Sequence, residues 1–178
     1  ATGAELNITN YSDVYDAEEH SIGVTNVIDG DTVYYSLTNN GTDWSTTKPM
    51  FTEVTPGTTV YVKVTNKNYA DRTGSGTVTI TPAPVTITVN NASKVFGEDD
   101  PEFTGTVVGL IGSDSIGTVS YSRVGNDEEV GTYEDVLTAS YTNNPNYTVT
   151  VNNGDFEITA ATGAELNITN YSDVYDAE

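Results

Sequence analysis

Along most of the chain, single hydrophobic positions alternate with single polar ones. Val60, Val62 and Val64 are separated by Tyr61, Lys63 and Thr65, Val78 and Ile80 alternate with threonine, and Val85, Ile87 and Val89 repeat the pattern. A period of two turns one apolar face inward and leaves Thr, Lys or Tyr outside, so each stretch predicts a strand buried on one side. Asn39-Asn40-Gly41, Pro56-Gly57, Gly74-Ser75-Gly76 and Asn152-Asn153-Gly154 carry turn chemistry and are expected to separate the strands. No segment keeps a 3.6-residue period over the ~11 residues of an average helix. Residues 112–116, with Ser or Asp as a cap, are expected to form one helical turn at most. Short strands with frequent turns predict an all-β fold of sandwich type.

The chain repeats itself at two levels. Residues 1–18 and 161–178 read identically, ATGAELNITNYSDVYDAE, at an offset of 160 residues. This predicts a tandem array, of which the chain holds one unit and the opening of the next. Within the unit, LNITNYSDVY from Leu6 lines up with ITVNNASKVF from Ile87, and DTVYYS from Asp31 with GTVSYS from Gly117. TNKNY from Thr65 likewise matches TNNPNY from Thr142, and VTITPA ending at Ala83 matches FEITA ending at Ala160. The expected organisation is two tandem Ig-like β-sandwich modules in an elongated rod, residues 1–82 and 83–160, followed by 161–178 as the first strands of the next repeat. Each module is expected to own a separate core. Thr81-Pro82-Ala83-Pro84 reads as a stiff joint because proline fixes φ, and the proline-free stretch 160–164 as a softer one.

The second half carries Lys94-Val95-Phe96-Gly97, Asp100-Pro101, Val130-Gly131-Thr132-Tyr133, and Asn146-Tyr147 ahead of an expected final hairpin. In these marks it resembles the MBG-type repeats of large bacterial surface proteins, with Phe96 where that pattern more often has Tyr. The first half, with Val14-Tyr15-Asp16, Val33-Tyr34-Tyr35-Ser36 and Val60-Tyr61-Val62-Lys63, is similar to related Ig-like bacterial repeats. The resemblance implies an extracellular adhesin anchored at the bacterial surface.

Composition narrows the partners. Six Lys+Arg face 26 Asp+Glu, a formal net charge of −20, so phosphate-rich nucleic acid and anionic membrane would be repelled. The absence of Cys removes disulfides and sulfur-based zinc sites. No apolar run approaches the ~20 residues of a membrane span, and no leader pattern opens the chain.

Candidate chemistry is sparse. His20 is the single histidine, with no Gly-x-Ser-x-Gly elbow to accompany it, and reads as a solvated or strand-edge residue. General acid catalysis needs a carboxyl desolvated in a pocket, which nothing in the pattern predicts, so neither a catalytic nor a cofactor site is assigned. The acidic clusters Asp13/Asp16/Glu18/Glu19, Glu98/Asp99/Asp100/Glu102 and Asn126/Asp127/Glu128/Glu129 read as solvated charge, with weak calcium binding at a joint as the second reading. Asp29-Gly30-Asp31 offers two ligands of a calcium loop without the trailing Glu. Trp44, in the same module as Tyr34, Tyr35, Tyr61 and Tyr69, is a candidate glycan platform expected to be half-exposed, and Tyr35 is expected to lie in the core. A Thr–Gln ester link is impossible because Gln is absent. For a lysine isopeptide link, Lys63 points away from the valine face and Lys48 and Lys67 lie in turn-like sequence, leaving Lys94.

The expected function is that of a non-catalytic stalk or spacer repeat, extending a binding domain from the cell. The alternative is a module that itself binds mucin-type glycans or a host protein. Expected partners are neighbouring repeats, with a monomer in dilute solution and head-to-tail association through residues 161–178 at high concentration.

Overall fold

The structure, a computed structural model, describes residues 5–163. Among them the chain is all-β, with strands β1 (Asn7–Thr9), β2 (Tyr11–Val14), β3 (Gly23–Thr25), β4 (Thr32–Ser36), β5 (Thr55–Asn66), β6 (Tyr69–Thr81) and β7 (Ala83–Val89). These are followed by β8 (Ala92–Val95), β9 (Gly105–Val108), β10 (Ser120–Arg123), β11 (Gly131–Ser140), β12 (Tyr147–Asn152) and β13 (Gly154–Thr159). Up to Thr81 the strands form a β1-β3 pair and a β2-β6-β5-β4 sheet; beyond it, β12-β7-β9 and β10-β11-β13-β8. Residues 161–163 are not in a strand, and the expected strands of 161–178 otherwise fall outside the described residues.

The alternating residues behave as a one-sided core requires. Val60, Val62, Val64, Val78, Ile80, Val85, Ile87 and Val89 are all buried. The glycines behave differently from the turn reading. Gly74 and Gly76 lie inside β6, opposite Val62 and Val60 of β5. A Cβ at Gly74 would stand 2.7 Å from Ile8 Cδ1, and one at Gly76 would stand 2.9 Å from the Cγ2 atoms of both Ile8 and Ile22. The missing side chains let β1 and the Ile22 segment settle onto the sheet. Pro56-Gly57 is likewise no turn between strands but an irregularity within β5, where the register shifts between Thr55 and Thr58 and Gly57 takes φ +76°.

Two further expectations change. Residues 112–116 form no helical turn. Asp114 N donates to Ile111 O at 3.0 Å, closing a β-turn with Gly112 at positive φ. Asn152-Asn153-Gly154 is not the tip of a final hairpin either. β12 runs parallel to β7 in one sheet and β13 parallel to β8 in the other, so both chain segments cross between sheets side by side. At this crossing a Cβ on Gly154 would stand 2.9 Å from the carbonyl oxygens of Val89 and Asn90, an approach only glycine permits. The long local pairings, β5 with β6 and β11 with β13, hold the two largest sheets together.

Candidate functional site: the joint at Pro82

β6 ends at Thr81 and β7 begins at Ala83, leaving Pro82 as the whole connection. Main-chain bonds close both sides of it: Tyr15 N donates to Thr81 O at 2.8 Å, and Ala83 N to Asn146 O at 2.9 Å. Around this point the halves are tied by side chains. The Tyr15 and Tyr147 rings meet at 82° with centroids 5.5 Å apart. Both hydroxyls donate to Asp114 Oδ2, at 2.8 Å from Tyr15 and 2.6 Å from Tyr147. Ile111 N donates to the Tyr147 hydroxyl oxygen at 3.1 Å, which uses its acceptor side. The hydroxyls of Tyr147 and Tyr15 hold the Asp114 carboxyl below its ordinary range. The same bond, together with burial, pushes the Tyr15 phenol up to about 12.

A second tie lies beside the first. Asn146 is 6% exposed; its Oδ1 accepts from Val54 N at 3.1 Å and its Nδ2 donates to Glu53 Oε2. Asn146 is itself set by Asn144, whose Oδ1 accepts from Asn146 N at 3.0 Å. The expectation of separate cores does not hold. One buried cluster runs from Ile22, Val60 and Ile80 through Tyr15 and Tyr147 to Val85, Ile87 and Ile116, while Val89, Leu137, Phe156 and Ile158 form a smaller one within the second half. The cause is that each half places a buried tyrosine at the joint, Tyr15 and Tyr147, and the two rings pack against each other. Sequence reasoning missed this site because Asp114 read as a helix cap and Tyr15 as one tyrosine among many. The available signal was the alignment of Tyr15 with Phe96 in the internal repeat.

The residues singled out from sequence lie elsewhere. His20 stacks on Tyr11 with centroids 4.2 Å apart, and its Nε2 contacts both Asp16 oxygens at 2.9 and 3.0 Å. Its main chain forms an isolated antiparallel bridge with Phe51, outside the strands. Asp31 accepts from Ile28 N, Asn66 Nδ2 and Arg72, which makes it an anchor of its own loop. Among the described residues, no three His, Asp or Glu converge on a point where a metal would sit. Two of the acidic clusters instead supply one carboxylate each to a pair of cations. Lys94 bonds Asp100 Oδ1 at 2.9 Å and Glu128; Arg123 bonds Asp100 Oδ2 at 2.9 Å and Glu128 Oε1 at 2.6 Å and lies over the Phe156 ring. Glu128 and Asp100 raise the Lys94 pKa above its ordinary value. Lys94 is thus buried beside two carboxylates, the surroundings that an isopeptide link would need, and in this arrangement they hold its amine in ion pairs.

Trp44 is half-buried on a cleft of about 260 Å3 shared with Tyr61, Asn39 and Gly74. Lys63 does point outward, and its Nζ lies 4.9 Å from the Trp44 ring centroid and 5.5 Å from that of Tyr34. The lysine therefore takes ring surface that a sugar would stack on. Tyr35 is half-buried against the core, and Tyr69 begins β6.

Comparison with known proteins adds the following. Residues 85–157 match the MBG domain family of YGX type, a span inside the second half. No curated protein matches the chain. Among solved structures, the crystal structure of the N-terminal eight Ig domains of Down Syndrome Cell Adhesion Molecule isoform 1.30.30 aligns at 12% identity with a TM-score of 0.27, over 90% of this chain and 24% of that one. The chain thus spans about a quarter of that structure's length.

Proposed function

We propose that the chain is a non-catalytic spacer repeat of a bacterial surface adhesin, made of two modules, 1–82 and 83–160, set in line by a stiff joint. The observation that carries this is the joint itself: a single-residue connection flanked by main-chain bonds, with a Tyr15–Asp114–Tyr147 tie and a Glu53–Asn146 tie beside it. Such a contact resists both bending and rotation, which a stalk requires and a flexible tether lacks. The MBG match at 85–157 and the 160-residue repeat support an array exposed outside the cell. β6, at 13 residues and ~3.3 Å per residue, gives a module axis of about 43 Å. The excess of negative charge keeps neighbouring modules from collapsing onto one another.

Small-angle scattering of the chain, beside an Asp114→Ala/Asn146→Ala variant, tests the reading. The expected result is a rod of one conformation that broadens to a distribution of shapes in the variant. A broad distribution in the unmodified protein would overturn it. Binding of glycans or a host protein at the Trp44 cleft is the alternative, and a glycan-array signal lost in Trp44→Ala would put it in place of the spacer.

A further inference from the structure

We propose that Phe96, Glu129 and Val130 form the donor half of a second joint, and that its partner is the first module of the following repeat, received on Val27, Ile28, Asn68 and Tyr69. The proposal rests on the spacer reading and extends it from the joint that the chain contains to the one that propagates the array.

The two halves share a set of individual hydrogen bonds. Tyr15 N donates to Thr81 O and Phe96 N to Thr159 O, both at 2.8 Å, each at the end of a parallel pair, β2 with β6 and β8 with β13. Thr55 of β5 pairs with Ile80, and Gly131 of β11 with Ile158, which makes Glu129-Val130 the counterpart of Glu53-Val54. At the opposite pole, Asn66 Oδ1 accepts from Asn68 N as Asn144 Oδ1 does from Asn146 N, both at 3.0 Å. Asn66 Nδ2 donates to Asp29 O as Asn144 Nδ2 does to Ser115 O, both at 3.2 Å. Asn26 and Gly112 share positive φ, 64° and 56°. Asn68, Tyr69 and Ile28 therefore stand where Asn146, Tyr147 and Asp114 stand.

Burial shows which copies have a partner. Tyr15 is 5% exposed because the second half covers it, whereas its counterpart Phe96 is 48% exposed. Val54 is half-buried in the shared core, whereas Val130 is 54% exposed. Val27, beside Ile28 at the receiving pole, is 48% exposed. The chemistry changes in concert on the two sides. Tyr15 presents a hydroxyl and meets Asp114; Phe96 has none, and the position facing it carries Ile28. An apolar ring against isoleucine avoids a buried carboxylate that a phenylalanine would deprive of one of its two hydroxyl donors. Glu129 retains the carboxylate that Asn68 would receive, as Asn146 receives that of Glu53. The sequence points to the occupant: residues 161–178, which follow residue 160, repeat residues 1–18 of the first half.

The test uses a chain carrying residues 1–160 twice in tandem. The sequence contains no cysteine, so introduced pairs react alone. Glu129→Cys in the first copy and Asn68→Cys in the second are bridged with a short bifunctional maleimide. The reference pair places the second cysteine at Asn40→Cys, beyond the far end of β4. Docking is expected to make the Glu129/Asn68 pair react about tenfold faster than the reference pair, and Phe96→Ala to remove that advantage. Equal rates for the two pairs, or rates indifferent to Phe96→Ala, mean that tethering alone brings the modules together and overturn the proposal. Glu53→Cys with Asn146→Cys in the single chain reports on the first joint separately: its failure to bridge would remove the spacer reading and the template with it.

Discussion

The Tyr15 and Tyr147 rings meet at 82°, and their two hydroxyls donate to the same oxygen of Asp114. The residues are far apart in sequence and come from opposite sides of Pro82. Each ring packs against the other within one buried cluster, so the contact couples the stability of the two halves.

Replacing one donor tests that coupling. Tyr15→Phe keeps the ring contact and removes one hydrogen bond to a charged acceptor, with an expected cost of about 1.5–3 kcal/mol. Asp114→Ala should cost more, because it leaves two buried hydroxyls without an acceptor. A double-mutant cycle read by denaturant unfolding should give a coupling well above zero; additive effects would mean that the carboxylate is satisfied by water instead.

Core truncation should be felt across the joint. Val62→Ala, at a position with 0% exposure, is expected to destabilise by about 2–4 kcal/mol. Because Val62 belongs to the cluster that continues into the second half, calorimetry should show one transition shifting downward. Two transitions, of which only one moves, would show that the halves unfold independently.

The strand glycines make a sharper test of packing. Gly74→Ala introduces a methyl 2.7 Å from Ile8 Cδ1 and should cost about 1–3 kcal/mol. Ile8→Val removes that Cδ1 atom, and in the Gly74→Ala background it should restore part of the loss. If Gly74→Ala is neutral, β1 is not seated on β6 as described.

Stability should fall at both ends of the pH scale. Asp114, Glu128 and Asp31 are held below their ordinary values, by the Tyr147 hydroxyl, Lys94 and the Ile28 N–H respectively. Their contribution is present above the unfolded carboxylate value of about 4 and is lost as pH falls through the lower folded values. Tyr15 has the opposite sign: raised from 10.0 to about 12, it stabilises fully below 10.0 and loses that contribution as pH climbs to about 12. Tyr15→Phe should make the alkaline limb of a melting-temperature profile shallower, with Tyr147, raised by burial, contributing the rest, and should reduce the part of the acid limb that Asp114 supplies.

Lys94 provides a chemical check. If the Asp100, Glu128 and Arg123 quartet keeps its amine charged, intact mass spectrometry should return the sequence mass with no loss of water or ammonia. A deficit at Lys94 would show that the amine had reacted with a neighbouring carboxyl or amide.

What the sequence determined by itself was the alternation. Val60 to Val64, Val78 to Ile80 and Val85 to Val89 could bury one face only as strands, and the all-β architecture follows from that period. The internal repeat was equally legible, since equivalent residues recur in equivalent order. Tertiary structure decided what the glycines and the tyrosines do. Gly74 and Gly76 are chemically suited to a turn and to a strand against which another strand lies closely, and only the position of Ile8 and Ile22 selects the second. Asn152-Asn153-Gly154 has hairpin composition, yet the parallel partners β7 and β8 draw its two sides into different sheets. Tyr15 and Phe96 occupy the same place in the two halves, and no local pattern separates their fates. One is buried and packs against Tyr147 of the second half, the other is 48% exposed, and packing against a distant segment is a property of the folded chain.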